Sequence, residues 1–178
     1  VRTYAREKKE LREYGFPDRV LTSLNDLMTL NNYHVHMKAR KDLVKQGERI
    51  LPVMYRLMKS DSVVIREQAA KIMKLIRHRS SIPVAIEMME DSWGEIRWIA
   101  AETLIRIGRD SIRPLLKALV ENGTSYYLRE GAHHVLSELV TEEDPEELLY
   151  LLHVSLKGMD LPETVPVRAE KILNDKLV

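Results

Sequence analysis

The sequence predicts an all-α protein, a solenoid of about four to five stacked helix pairs. Three observations carry that prediction. Pro52, Pro83, Pro114 and Pro145 each stand 31 residues after the last, and a fixed period near 30 residues marks a stack of supersecondary units. A second column runs beside the first, because Ile65-Arg66, Ile96-Arg97 and Leu128-Arg129 are spaced 31 and 32 apart. Counting 3, 7 and 10 residues past each Arg gives Ala69/Ala100/Ala132, Met73/Leu104/Leu136 and Ile76/Ile107/Leu139. Those offsets trace one face of an α-helix, with small residues where a neighbouring helix approaches and large ones beside them.

Each element follows from this grid. Residues 2–14 read as a first helix A and residues 18–30, introduced by Pro17, as its helix B; together 1–34 form an N-terminal capping pair. Four repeats then occupy 35–157, starting near 35, 65, 96 and 128. The first is degenerate, with Val35-His36 in place of Ile-Arg, and recovers the pattern at Ala39, Leu43 and Gly47. Breaks such as Gly108-Arg109-Asp110 end helix A, with Gly108 suited to a helix C-terminus and Asp110 or Ser111 to an N-cap. Helix B starts with its proline inside the first turn, where the missing N–H breaks no hydrogen bond. The positions one, two, five and six past the proline are mostly apolar, while the seventh is charged as Lys59, Glu90 and Glu121, so helix B is amphipathic. Residues 146–156 supply the last helix B. A loop with Gly158 and Pro162 and a final helix over 165–177 make 158–178 the C-terminal cap. Atypical ends are expected, since a solenoid must close its open core.

Composition excludes several classes. At 178 residues, 44% apolar and 31% charged, the chain can bury a substantial core and is not disordered. No run approaches the roughly 18 apolar residues of a membrane span, and the start, VRTYAREKKELREY, lacks the apolar stretch of a signal peptide. Cysteine is absent, which removes disulfides and thiolate metal sites and accords with a cytoplasmic setting. The chain opens at Val1 and not at Met, which raises the expectation of a longer protein whose upstream part is the place for an anchor or a catalytic domain. The net charge of +1 hides segregation: residues 35–83 hold 12 Lys/Arg against 4 Asp/Glu, and residues 84–178 hold 10 against 18.

The pattern D-x(4)-[IL]-R-x(2)-A-x(3)-[LM]-x(2)-[IL], followed by a helix begun with proline, resembles HEAT repeats. It is most similar to the short bacterial and archaeal kind related to the phycobilin-lyase HEAT-like repeats. DSVVIREQAAKIMKLI and DSWGEIRWIAAETLIRIG carry the likeness, which is clear over 61–139 and extends more weakly over 35–175. The resemblance implies an architecture, the right-handed α-α superhelix of a HEAT-like solenoid, and leaves the activity open. It also implies a role for Arg66, Arg97 and Arg129: a structural ladder, each Arg paired with an acid near the start of a neighbouring unit. Asp61 and Asp91 stand where those partners belong.

Motifs for catalysis, metals and cofactors are missing. Among the six histidines there is no His-Glu dipeptide, which the iron-binding HEAT-like proteins similar to deoxyhypusine hydroxylase use, and no His-x(3)-His pair. His133 replaces a small residue at a packing position and is expected to be a hydrogen-bonded structural histidine. The seven glycines form neither G-x-G-x-x-G nor a P-loop. Trp93, three residues before Ile96, is placed in the core. Trp98 falls in a column otherwise held by Glu67 and Glu130, so it is either an exposed partner anchor or packed over a neighbour.

These readings favour a non-enzymatic protein-interaction scaffold, monomeric and without cofactor. The resemblance puts the B helices on a concave face, which offers Arg56, Lys59, Glu87, Arg113, Lys117 and Glu121 to a protein or peptide, with Trp98 as a further contact. The alternative is nucleic-acid binding through the basic segment 35–83, weakened by the acidic C-terminal half and by the placing of most of its cations on A helices. Bilin or other small-ligand binding rests on the kinship with lyase-type repeats alone.

Overall fold

The computed structural model describes residues 12, 15–29 and 32–175. Among them every regular element is helical and none is a strand. The predicted first helix A over 2–14 falls outside the described residues, apart from Arg12. The chain divides into two compact units, the first ending at Ile76 and the second starting at Arg77. The seam lies between the A and B helices of the repeat that starts near 65. It coincides with Arg77, whose φ of 55° is the one positive value outside glycine among the described residues.

The first unit contains α1 (Asp18–Thr29), α2 (Tyr33–Val44), α3 (Leu51–Leu57) and α4 (Val63–Ile76). Asn32 caps α2, its side-chain oxygen accepting from the backbone N–H groups of His34 and Val35 at 3.0 and 3.2 Å. α2 packs on α1 and α4, and α3 packs on α4. The predicted grid is what meets there: Ala39, Leu43, Val53, Met54, Ala69 and Met73 are all buried.

The second unit contains α5 (Ile82–Met88), α6 (Gly94–Ile107), α7 (Ile112–Asn122), α8 (Tyr126–Leu139), α9 (Glu146–Tyr150) and α10 (Thr164–Asn174). A π-helical turn, Leu151–Ser155, continues α9. α6 packs on α5 and α8, while α7 packs on α8 and α10. Ala100, Leu104, Leu115, Leu116, Ala132 and Leu136 form the core at the positions the period assigns. The final helix therefore closes against α7, a B helix.

Local differences have local causes. Short 3₁₀ turns, Gly47–Ile50, Arg79–Ser81 and Arg109–Ser111, lead into α3, α5 and α7. Ser111 serves no capping bond; it is fully buried and its hydroxyl donates to the Leu104 carbonyl at 2.9 Å, tying the turn back to α6. Gly108 ends α6 with φ of 96°, a conformation that costs a residue with a side chain. Pro52, Pro83 and Pro114 lie in first turns, whereas Pro145 is the N-cap of α9. No helix among the described residues is long and apolar enough to cross a membrane.

Candidate functional site

The second unit carries an aromatic cleft between two consecutive A helices. Gly94, Trp98 and Ala101 of α6 form one wall, and Tyr127, Glu130 and His134 of α8 form the other. Its volume is about 240 Å³. Met89 lies beneath, and Gly131 is what lets α8 come down onto it: a Cβ at residue 131 would stand 2.7 Å from the Met89 sulfur. The small residues Gly94, Ala101 and Gly131 thus hollow out a groove that larger residues would fill.

Trp98 decides the character of this cleft. It is 52% exposed, and its indole stacks on the His134 imidazole with ring centroids 4.3 Å apart and planes 19° from parallel. Glu102, one turn along α6, holds the other side of that imidazole, with Oε1 3.4 Å from Nε2. Arg97 lies with its guanidinium carbon 3.9 Å from the centre of the Tyr127 ring. The same guanidinium donates to the Asp91 carbonyl at 2.8 Å, so it is held at both ends. Tyr127 in turn meets Tyr126 edge to face at 5.6 Å. The cleft therefore offers fixed rather than wandering aromatic and guanidinium surfaces.

The column arginines bind backbone carbonyls of the loops that precede them. Arg66 donates to the carbonyls of Ser60 and Asp61, Arg97 to that of Asp91, and Arg129 to those of Gly123 and Thr124. Each closes the loop that leads into its own A helix, satisfying carbonyls left over where the preceding helix B ends. Asp91 uses its carboxylate on the same loop, accepting from the Trp93 backbone N–H at 2.8 Å. Arg109 makes a further link from one repeat to the next. It donates to the Leu139 carbonyl at 2.9 Å and, in bidentate fashion, to the Asp144 carboxylate, with Nη1 3.0 Å from Oδ2. Hydrogen bonding from Arg109, aided by Thr141, holds the Asp144 carboxyl at about 2, below its ordinary 3.8.

Two expectations are corrected. Trp93 is 51% exposed rather than in the core. It is the N-cap of α6, with extended backbone, so the helical offset from Ile96 does not apply to its side chain. His133 is half-buried, but its Nε2 is enclosed without a hydrogen-bond partner. Burial, together with Lys157, His153 and His134, pushes its imidazole below the usual histidine value.

Lys59, Glu87, Arg113, Lys117 and Glu121 are exposed and Arg56 is half-buried. Arg113 lines an open groove with Arg79, Arg109 and Asp110. Tyr127, Gly131 and His134 were missed as site residues. One signal was available: His134 lies a repeat plus one helical turn beyond Trp98, which is where a side chain on the next A helix comes within reach. Among the described residues no group of three or more His, Asp or Glu side chains is placed to hold a metal ion.

The comparisons agree with the repeat grid. The family model for HEAT repeats matches residues 50–153, more than half of the chain. A search of curated proteins finds no match. With helix pairs at a period of 31 residues and that match over its central part, the chain belongs to the HEAT repeat family.

Proposed function

We propose that this chain is a non-enzymatic interaction module that binds a protein or peptide, and that the aromatic cleft of the second unit receives one side chain of that partner. The observation that carries this reading is Trp98: half-exposed, yet fixed against His134. Tyr, Trp and Arg dominate the energetically important positions of interfaces, because they bring large contact area at little entropic cost. The size supports a side chain over a free ligand. A cleft of about 240 Å³ falls short of the roughly 300–1,000 Å³ of pockets for drug-sized molecules, and a bilin is at least that large. The partition into a capping pair at 1–34, four repeats over 35–157 and a cap at 158–178 belongs to the same proposal. The B-helix face with Arg113, Lys117 and Glu121 is the competing contact region, which the test below separates from the cleft.

Nucleic-acid binding through 35–83 has less support. Lys45 and Lys71 are turned to Asp42 and Glu67 on their own helices, so part of that segment's charge is already paired. The test is affinity capture with the wild-type chain, Trp98→Ala and the double variant Arg113→Glu/Lys117→Glu, followed by calorimetry on the partner retained. Loss of about tenfold or more in Trp98→Ala alone is expected. Loss confined to the double variant would move the site to the B helices. Retention of nucleic acid that is shed steeply by salt would replace the protein reading.

A further inference from the structure

On the other flank of α8 lies a second cavity, of about 280 Å³, between that helix and the turn that follows the π-helical segment. It is lined by Tyr126, Arg129, Glu130 and His133 from α8 and by Leu156, Lys157 and Gly158 from the turn. We propose that this cavity binds an oxyanion, a carboxylate or a phosphate, through Lys157 and the His133 imidazole, with the Arg129 guanidinium contributing charge from the wall.

Three observations point there. The Nε2 atom of His133 is enclosed and has no hydrogen-bond partner, and an enclosed polar atom left unsatisfied costs stability unless a ligand or water completes it. Lys157 lines the same cavity, is exposed, and makes no ion pair among the described residues. Arg129 is held in place by the carbonyls of Gly123 and Thr124, which leaves its charge fixed at the wall. This clustering runs against its setting, because residues 77–178 contain 12 Lys/Arg against 18 Asp/Glu. Burial and the positive neighbours Lys157, His153 and His134 disfavour the imidazolium. A neutral ring still supplies one N–H to an acceptor. Arg129 and Lys157 outweigh Glu130 by one positive charge, which suits a small anion and not a cation.

The same chemistry has two sources: a free ion, or an anionic side chain presented by a partner. The test follows the histidine ring signals by ¹H–¹⁵N spectroscopy while inorganic phosphate, acetate or O-phosphoserine is added, with sodium chloride at matched ionic strength as reference. His133→Gln assigns the His133 signal, and Lys157→Gln, at an exposed position, removes the principal charge without disturbing the core. A saturable shift of the His133 signal with at least one oxyanion is expected, weakened about tenfold or more in Lys157→Gln. O-phosphoserine binding more tightly than phosphate would assign the anion to a modified partner side chain; equal binding would assign it to the free ion. Drift that never saturates and follows sodium chloride, or undiminished affinity in Lys157→Gln, overturns the proposal.

Discussion

The helices α4 and α6 occupy equivalent places in successive repeats, yet the two present opposite surfaces. In α4 the outer column reads Glu67 and Lys71, and the two side chains pair with one another along their own helix. In α6 the same two places hold Trp98 and Glu102, and both reach across to His134 of α8. The two pairs stand 31 residues apart at matching places in the repeat, and they differ in side-chain chemistry. A column that can satisfy itself along one helix leaves nothing for a neighbour. A column that cannot must find its partner in the next repeat, and in doing so it builds a cleft. The repeat thus supplies a rigid frame, and the departures from the repeat supply the candidate function.

The frame itself should be the most sensitive part. Leu104 is fully buried on α6 at a grid position, and Leu104→Ala should destabilise the chain by about 3 kcal/mol, read as a lower midpoint in urea. A change below about 1 kcal/mol would mean that the second unit packs less tightly than the grid requires.

Removing the exposed member of the contrast should separate binding from stability. Trp98→Ala should cost about 2 kcal/mol of partner affinity and well under 1 kcal/mol of stability, compared by calorimetry and by thermal melting. In a Trp93→Phe background Trp98 is the single tryptophan of the two in the chain, so its fluorescence should respond to the partner directly. An unresponsive signal would place the partner elsewhere.

The link between repeats should yield a smaller effect with a pH signature. Arg109 is 55% exposed, while the Asp144 side chain is 8% exposed. Arg109→Ala should cost about 1 kcal/mol once screening at the exposed end is allowed for. Because the folded Asp144 carboxyl is held at about 2 against an ordinary 3.8, its contribution is full above about pH 4 and is lost as pH falls through about 2. Asp144→Asn should lower stability at neutral pH and flatten that acid limb of the melting profile. An unchanged limb would show that the pair does not clamp the repeats.

Breaking the self-paired column should matter least. Glu67→Gln removes one pair along a single helix, for which about 0.3 kcal/mol is expected, together with no change in partner binding. A loss of affinity there would erase the distinction between α4 and α6.

How much of this was legible in the sequence follows from the same contrast. Grid positions such as Ala100, Leu104 and Leu136 were readable because burial repeats with the helix and the helix repeats with the chain. Trp93 was not, since one residue before the helix the period no longer governs where a side chain goes. The carbonyl-closing task of Arg66, Arg97 and Arg129 was hidden because backbone acceptors carry no residue identity. The Arg109–Asp144 link was hidden because its members lie in turns, at unlike places in their repeats. Trp98 could be singled out from its column alone, but its fixing by His134 required the neighbouring helix.

The most direct test of the cleft as the interaction site is a photo-crosslinking scan. A photoreactive residue is placed at Glu130, on the cleft wall, and separately at Lys117, on the B-helix face, in the chain presented to its native lysate. A discrete crosslinked partner is expected from residue 130 that disappears when Trp98 is also replaced by Ala, with none from residue 117. The same partner crosslinked from residue 117 alone, indifferent to Trp98, would contradict it.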